Sequence, residues 1–224
     1  MRILGIETAT RAASVAVIFD GKLLAESVRE SPQSFSETLM PQVEEVIRAA
    51  GAFERLDAVA VSIGPGSFTG LRIGLATAKA LAYAWGIKII GVSTLQAMAY
   101  NFPNAKVVPL TDAQKNRAYC QIFADGVAQT ELKIEPIDEI VTELGRATGE
   151  FFLCGDVLHK IKVPLPPNVH LAPSNLKMPR ASSVAICAEA SGKVDNVMNL
   201  EPLYIRRSEA EELWEKRHGL VSEQ

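Results

Sequence analysis

Two stretches decide the fold. Residues 3–21 read ILGIETATRAASVAVIFDG, and residues 107–126 read VVPLTDAQKNRAYCQIFADG. Each opens on an apolar run, passes through a polar turn with a basic residue, resumes as a second apolar run that ends Ile-Phe, and closes on Asp-Gly. They align with one inserted residue near Ala124. Asp-Gly between two such runs is a strong hairpin signal, because both central residues of the favoured two-residue turn take positive φ. The first copy predicts strands over 2–8, 13–19 and 22–29. In the second copy a third strand is expected over 127–135, then a helix (137–145), a strand (150–154), weaker structure from 156 to 175 and a helix (181–193). The recurrence predicts an internally duplicated βββαβα unit.

Between the copies the pattern switches to helical spacing. Ser34 and Glu37 have capping-box spacing. Leu39, Val43, Val46, Ile47 and Ala50 then fall on one side, with Glu44, Glu45 and Arg48 opposite. Pro41 must sit early in this helix or kink it, and Gly51 is a natural stop. An apolar strand (57–63), a Gly-rich loop, a helix to Trp85, a strand (87–92) and a short helix from Ser93 complete a first βββαβαβα unit. Proline-rich sequence from Pro164 to Pro179 marks a loop-dominated region. Ser208 and Glu211 repeat the capping-box spacing before a charged last helix over 209–217. The expected division is 1–102, 103–200 and a terminal segment 201–224 that packs back on the chain.

Composition narrows the function. The 224 residues can bury a full core, and 48% apolar with 22% charged residues is ordinary for a soluble globular protein. A formal net charge of -3 argues against a protein that grips nucleic acid on its own. Cys120, Cys154 and Cys187 are too dispersed for a disulfide framework or a zinc site and fit a reducing cytosol. No run approaches a membrane span, and Glu7 interrupts the apolar start where a signal peptide would lie.

The loop Gly64-Pro-Gly-Ser-Phe-Thr-Gly70 joins a strand to a helix, where phosphates often bind. It fits neither phosphate motif. No lysine follows Gly70, the third glycine stands one place late for a dinucleotide loop, and no acid lies about 20 residues on. A tight turn and close backbone approach are the alternative use of glycine. In the helix that follows, Leu71, Leu75, Ala78, Leu81, Ala82 and Trp85 fall on one side, while Ile73, Ala76, Ala80 and Ala84 fall nearly opposite. Only Arg72, Lys79 and Tyr83 form a polar stripe. Such a helix is covered on two sides, by the sheet and by either the first helix or a second subunit.

Catalytic signatures are sparse. His159, His170 and His218 lack the spacing of a metal pair, and no G-x-S-x-G elbow is present. Glu7 and Asp112 close or follow the first strand of each copy. A duplicated fold would place them across a cleft for metal or acid/base work, although turn-forming roles explain them as well. With Thr8 they would serve a free-standing ATPase or small-molecule kinase, against which stands a first turn without glycine.

GPGSFTGLRIGLATAKALA (64–82), together with LGIETATRAASVAV (4–17), STLQAMA (93–99), DAQKNRAY (112–119) and PLYIRRSEAEELWEKR (202–217), resembles the TsaB (YeaZ) family; 136–200 carries little of the match. The resemblance implies a duplicated actin-like (ASKHA, ribonuclease H-like) α/β fold. It implies a cytoplasmic, non-catalytic dimerising subunit, without cofactor, of the bacterial machinery that makes threonylcarbamoyladenosine in tRNA. The implied partners are a catalytic TsaD-like paralogue and a TsaE-like ATPase, with a homodimer when alone and tRNA met only through the complex. In the family the first two helices build the TsaB–TsaD contact, which on this chain implies Phe35, Leu39, Met40, Val43, Leu71, Ile73, Leu75, Ala76 and Ala80, with Gly64, Gly66, Gly70 and Gly74 as structural glycines. One departure is Phe35, which stands where many relatives have histidine and fits an apolar contact in place of a metal role.

Overall fold

A computed structural model describes residues 1–30, 35–52 and 56–203. The first sheet contains β1 (Arg2–Glu7), β2 (Ala12–Phe19), β3 (Lys22–Glu30), β4 (Ala58–Gly64) and β5 (Lys88–Ser93), in the order β3-β2-β1-β4-β5. β1, β2 and β3 run antiparallel, whereas β4 and β5 run parallel to β1. The second sheet contains β6 (Lys106–Asp112), β7 (Arg117–Cys120), β8 (Phe123–Ala124), β9 (Val127–Ala128), β10 (Lys133–Pro136), β11 (Phe151–Gly155) and β12 (Val169–Leu171). Its main path is β10-β7-β6-β11-β12, with β8 on β6 and β9 on β8. Among the described residues the α-helices are α1 (Phe35–Ala49), α2 (Phe68–Trp85), α3 (Thr94–Ala99), α4 (Ile137–Arg146) and α5 (Ala181–Ser191). This is the duplicated actin-like α/β fold.

Both hairpins form at Asp-Gly. Phe19 pairs Lys22 around Asp20 (φ 46°) and Gly21 (φ 71°), and Ala124 pairs Val127 around Asp125 (φ 51°) and Gly126 (φ 72°). Two successive positive φ values match the right-handed twist of the flanking strands. The second copy is broken where the first is continuous. The register on β6 sets Gln121 opposite Pro109, which has no N–H to donate, and the partner strand splits there into β7 and β8. The expected strand over 127–135 splits with it into β9 and β10. Thr130 fills the gap: its Oγ1 accepts from the Ile122 N–H at 3.0 Å, and its carbonyl accepts from Gln121 Nε2 at 2.7 Å. β12 lies inside the 156–175 stretch expected to be weakly structured; three residues are too few to show a period.

The sheets fall on either side of residue 103, but the helices cross it. α1 and α2 cover one face of the first sheet and share its core with Leu4, Ile6, Val59 and Val61. α5 covers the other face, where Val184, Ala185 and Ala188 meet Ile3, Ile18, Ala58 and Ala60. α3 serves both sheets: Ala97 joins Ala58 and Ala60 of the first, while Leu95, Met98 and Ala99 cluster with Val107, Phe123 and Cys154 of the second. Packing therefore groups 181–191 with the first sheet, although the chain reaches it last. The first sheet has two apolar faces, and α1 and α2 fill only one. The helix expected over 209–217 and the Ser34 half of the first capping box lie outside the described residues.

α5 can dock because Gly5 has no side chain. A Cβ there would stand 2.2 Å from the Ala181 carbonyl oxygen, and beside it Ser14 Oγ accepts from the Ala181 N–H at 2.9 Å. Gly5→Ala should therefore destabilise the chain by about 3 kcal/mol or more, the upper range of overpacking because the obstacle is backbone. Urea unfolding measures it; a loss under about 1 kcal/mol would mean that α5 shifts freely.

Candidate functional site

The site is best built from α2. Ser67 caps its start, with Oγ accepting from the Gly70 N–H at 3.2 Å. Gly86 ends it in the left-handed conformation, with φ 63°. In the preceding loop Gly64 has φ 107°, which an L side chain rarely adopts. Gly66, Gly70 and Gly74 recur every four residues and face one neighbour. A Cβ on each would stand 2.4 Å from the Ala9 carbonyl oxygen, 2.0 Å from the Thr8 carbonyl oxygen and 2.1 Å from Thr8 Oγ1, respectively. Thr8 Oγ1 donates to the Gly70 carbonyl at 2.8 Å, and the Ser67 N–H donates to the Ala9 carbonyl at 2.7 Å. The backbone of Thr8 and Ala9 and the side chain of Thr8 occupy the space against these glycines.

That contact fixes which side of α2 faces in. Leu71, Leu75, Ala78, Leu81 and Ala82 are buried, and Leu75, Ala78, Leu81 and Ala82 join Leu39 and Val43 of α1 in the core. Leu39, Val43, Leu71 and Leu75 are only 1%, 2%, 2% and 5% exposed, so they belong to the chain's own core and not to a contact surface. Phe35 and Ile73 are half-buried, while Met40, Ala76 and Ala80 are exposed. Trp85, expected on the buried side, is exposed in the last turn of the helix.

The outward face of α2 is thus a strip of small side chains, Ala76, Ala80 and Ala84, flanked by Arg72 and Tyr83. Arg72 lies 3.8 Å above the Phe68 ring. On α1, Met40 is exposed, and a groove of about 340 Å³ is lined by Pro41, Glu44, Glu45, Arg48 and Ala49. Gln42 is buried beneath and donates to the Ser27 carbonyl at 2.8 Å, tying α1 to β3. Glu44 pairs with Arg48 and Glu45 with Arg29; both pairs are exposed and contribute little stability.

The catalytic candidates fare differently. Glu7 and Thr8 are fully buried, and Glu7 Oε1 accepts from the Ala9 N–H at 2.5 Å. Ser62 lies nearby, yet its Oγ and Glu7 Oε2 both lack a hydrogen-bond partner. Asp112 belongs to a separate cluster: it pairs with Lys160 at 2.7 Å and accepts from the Gln114 N–H at 2.9 Å. Among the described residues no hydrogen bond or ion pair joins it to Glu7. Asp156 beside it is held above the usual carboxylate range by burial and then by the Asp112 charge. Burial pushes the Cys120 thiol up to about 11 and the Cys187 thiol up to about 12, and raises Cys154 as well, which disfavours the nucleophilic thiolate. Among the described residues no group of three or more His, Cys, Asp or Glu is placed to hold a metal ion, and no helix is long and apolar enough to cross a membrane.

Burial pushes the Glu7 carboxyl up to about 7 from 4.5, partly offset by the hydrogen bond from the Ala9 N–H. The folded chain thus holds this proton up to about pH 7, whereas the unfolded chain releases it near 4.5. Stability falls as pH rises between those values, by about 3 kcal/mol in all, and is level above them. Glu7→Gln should remove that slope and be the more stable protein at about pH 8, as read by urea unfolding across the range. Parallel pH profiles for the two proteins would refute the assignment.

Residues 27–214 match the family described as TsaD: tRNA N6-adenosine threonylcarbamoyltransferase. The tRNA threonylcarbamoyladenosine biosynthesis protein TsaB of Escherichia coli (strain K12) is 31% identical across 98% of this chain and 99% of that protein. The structure of YeaZ from Pseudomonas aeruginosa superposes with a TM-score of 0.73 at 26% identity, covering 91% of this chain and 99% of that one. The ethanolamine utilization protein EutJ from Carboxydothermus hydrogenoformans, at TM-score 0.55 and 11% identity over 83% of this chain and 89% of that one, shares the fold alone. The chain belongs to the TsaB (YeaZ) branch of the TsaD family.

Proposed function

We propose that this chain is the dimerising, non-catalytic subunit of the machinery that makes threonylcarbamoyladenosine in tRNA. It pairs with a catalytic TsaD-like subunit through the outward faces of α1 and α2. The observation that carries this reading is the α2 strip. Ala76, Ala80 and Ala84 are exposed side by side on a helix whose other face is already spent on the core. Small side chains let a partner helix approach closely, and Met40 and the groove add relief on α1. The burial of Glu7 and Thr8 under the glycine face of α2 supports a scaffold more than an enzyme, because the first copy keeps no open carboxylate there. A TsaE-like ATPase joins the pair in the full complex, tRNA is met only through it, and the chain forms a homodimer when alone. The complex works in the cytoplasm.

Ala76→Glu or Ala80→Glu should weaken binding to the TsaD-like subunit about a hundredfold or more, the scale of an uncompensated buried charge. Melting temperature should not change, since both positions are exposed. Titration calorimetry checks this; tight binding by both variants would move the contact elsewhere. Deleting the gene should abolish threonylcarbamoyladenosine in tRNA digests, and unchanged levels would overturn the function itself.

A further inference from the structure

Residues 194–203 come from the end of the described chain, yet they are built into the first sheet. The Asp195 N–H donates to the Ile89 carbonyl at 2.9 Å, and Asp195 Oδ2 accepts from the Gly91 N–H at 2.8 Å, closing the edge of β5. Asn196 Oδ1 then accepts from the Met198 and Asn199 N–H groups at 2.9 Å and 3.2 Å, making one tight turn. Val197 and Leu200 pack against the core under α1 and α2. Leu200 lies where a side chain on Gly91 would stand, 2.9 Å from that ideal Cβ. Lys79 of α2 reaches across and donates to the Met198 and Leu200 carbonyls at 2.9 Å and 3.2 Å. Finally the Leu203 N–H donates to the Ile63 carbonyl at 2.7 Å, beside the loop that enters α2.

These anchors set α1, α2 and this strap side by side on one face of the sheet. The strap runs opposite to α2, from the level of Lys79 at Met198 to the level of Gly64 at Leu203. Met198 is 68% exposed and Leu203 41%, alongside Tyr83 at 71% and Phe68 at 36%. An element anchored at both ends and in the middle that still holds large apolar side chains in water fits a surface covered by a partner. It is continuous with the α2 strip, so the same partner reaches both.

We infer that the strap is a third element of the partner contact, with Met198 and Leu203 touching the TsaD-like subunit and Lys79 and Asp195 acting as positioning residues that hold it in place. This rests on the reading of α1 and α2 as the partner surface. Binding of purified TsaD-like subunit to the full chain tests it. Met198→Asp and Leu203→Asp should each weaken binding about tenfold or more, as central apolar contacts do. Their melting temperatures should match the parent, and Leu171→Asp, an exposed apolar position on β12, should bind like the parent. Lys79→Met should lose affinity and Lys79→Arg should restore it, which a bystander lysine would not do. If Met198→Asp and Leu203→Asp bind like the parent while Ala80→Glu does not, the strap lies outside the contact and the inference is wrong. If the parent itself does not bind the subunit, the partner reading falls and this inference falls with it.

Discussion

The contact between the glycine face of α2 and the turn at Thr8 and Ala9 governs the rest of the molecule. Helices usually meet sheets through side chains. Here Gly66, Gly70 and Gly74 have none to interpose, and the first turns of α2 rest on the turn that follows β1. Three glycines in and before one helix carry a conformational-entropy cost of about 1 kcal/mol each relative to alanine. Close packing and the two hydrogen bonds at Thr8 and Ala9 offset it. The height and rotation of α2 follow from this contact. Leu71, Leu75 and Ala78 then have to enter the core, and Ala76, Ala80 and Ala84 have to face outward.

The same contact marks where the two copies differ. At the end of β1, Glu7 is sealed beneath α2 and keeps its proton to near neutrality. At the end of β6, Asp112 remains half-exposed and ion-paired to Lys160. In one copy the strand end is packed away; in the other it stays polar and partly open.

Local features of this architecture were legible in the sequence, and non-local ones were not. The Asp-Gly hairpins, the paired apolar runs and the start of α2 follow from neighbours within a few residues, so pattern alone locates them. The break between β7 and β8 depends on Pro109, which is visible, and on Gln121 being its partner, which only the register reveals. α5 reads as an apolar helix in the second half, but nothing within 181–193 says that the bare face lies on the first sheet. The site shows the same limit. Periodicity divides α2 into two apolar sides without saying which is inward, and family resemblance points to helices without choosing their faces. The resemblance therefore groups Leu39, Val43, Leu71 and Leu75 with Met40, Ala76 and Ala80, whereas burial separates them.

The crossings have a further consequence for the outer surface. α5 clamps the first sheet from one face through Gly5 and Ser14, and the segment after it closes the β5 edge and grips α2 through Lys79. The last parts of the described chain therefore brace the helix that faces outward. A surface held on both flanks loses little freedom when it is covered, and preorganisation of that kind strengthens binding without adding a contact. The proposed pairing with a TsaD-like subunit calls for a preorganised face of this kind. In this chain the rigidity of α2 comes from its glycines below, α1 on one side and the returning C-terminal segment on the other.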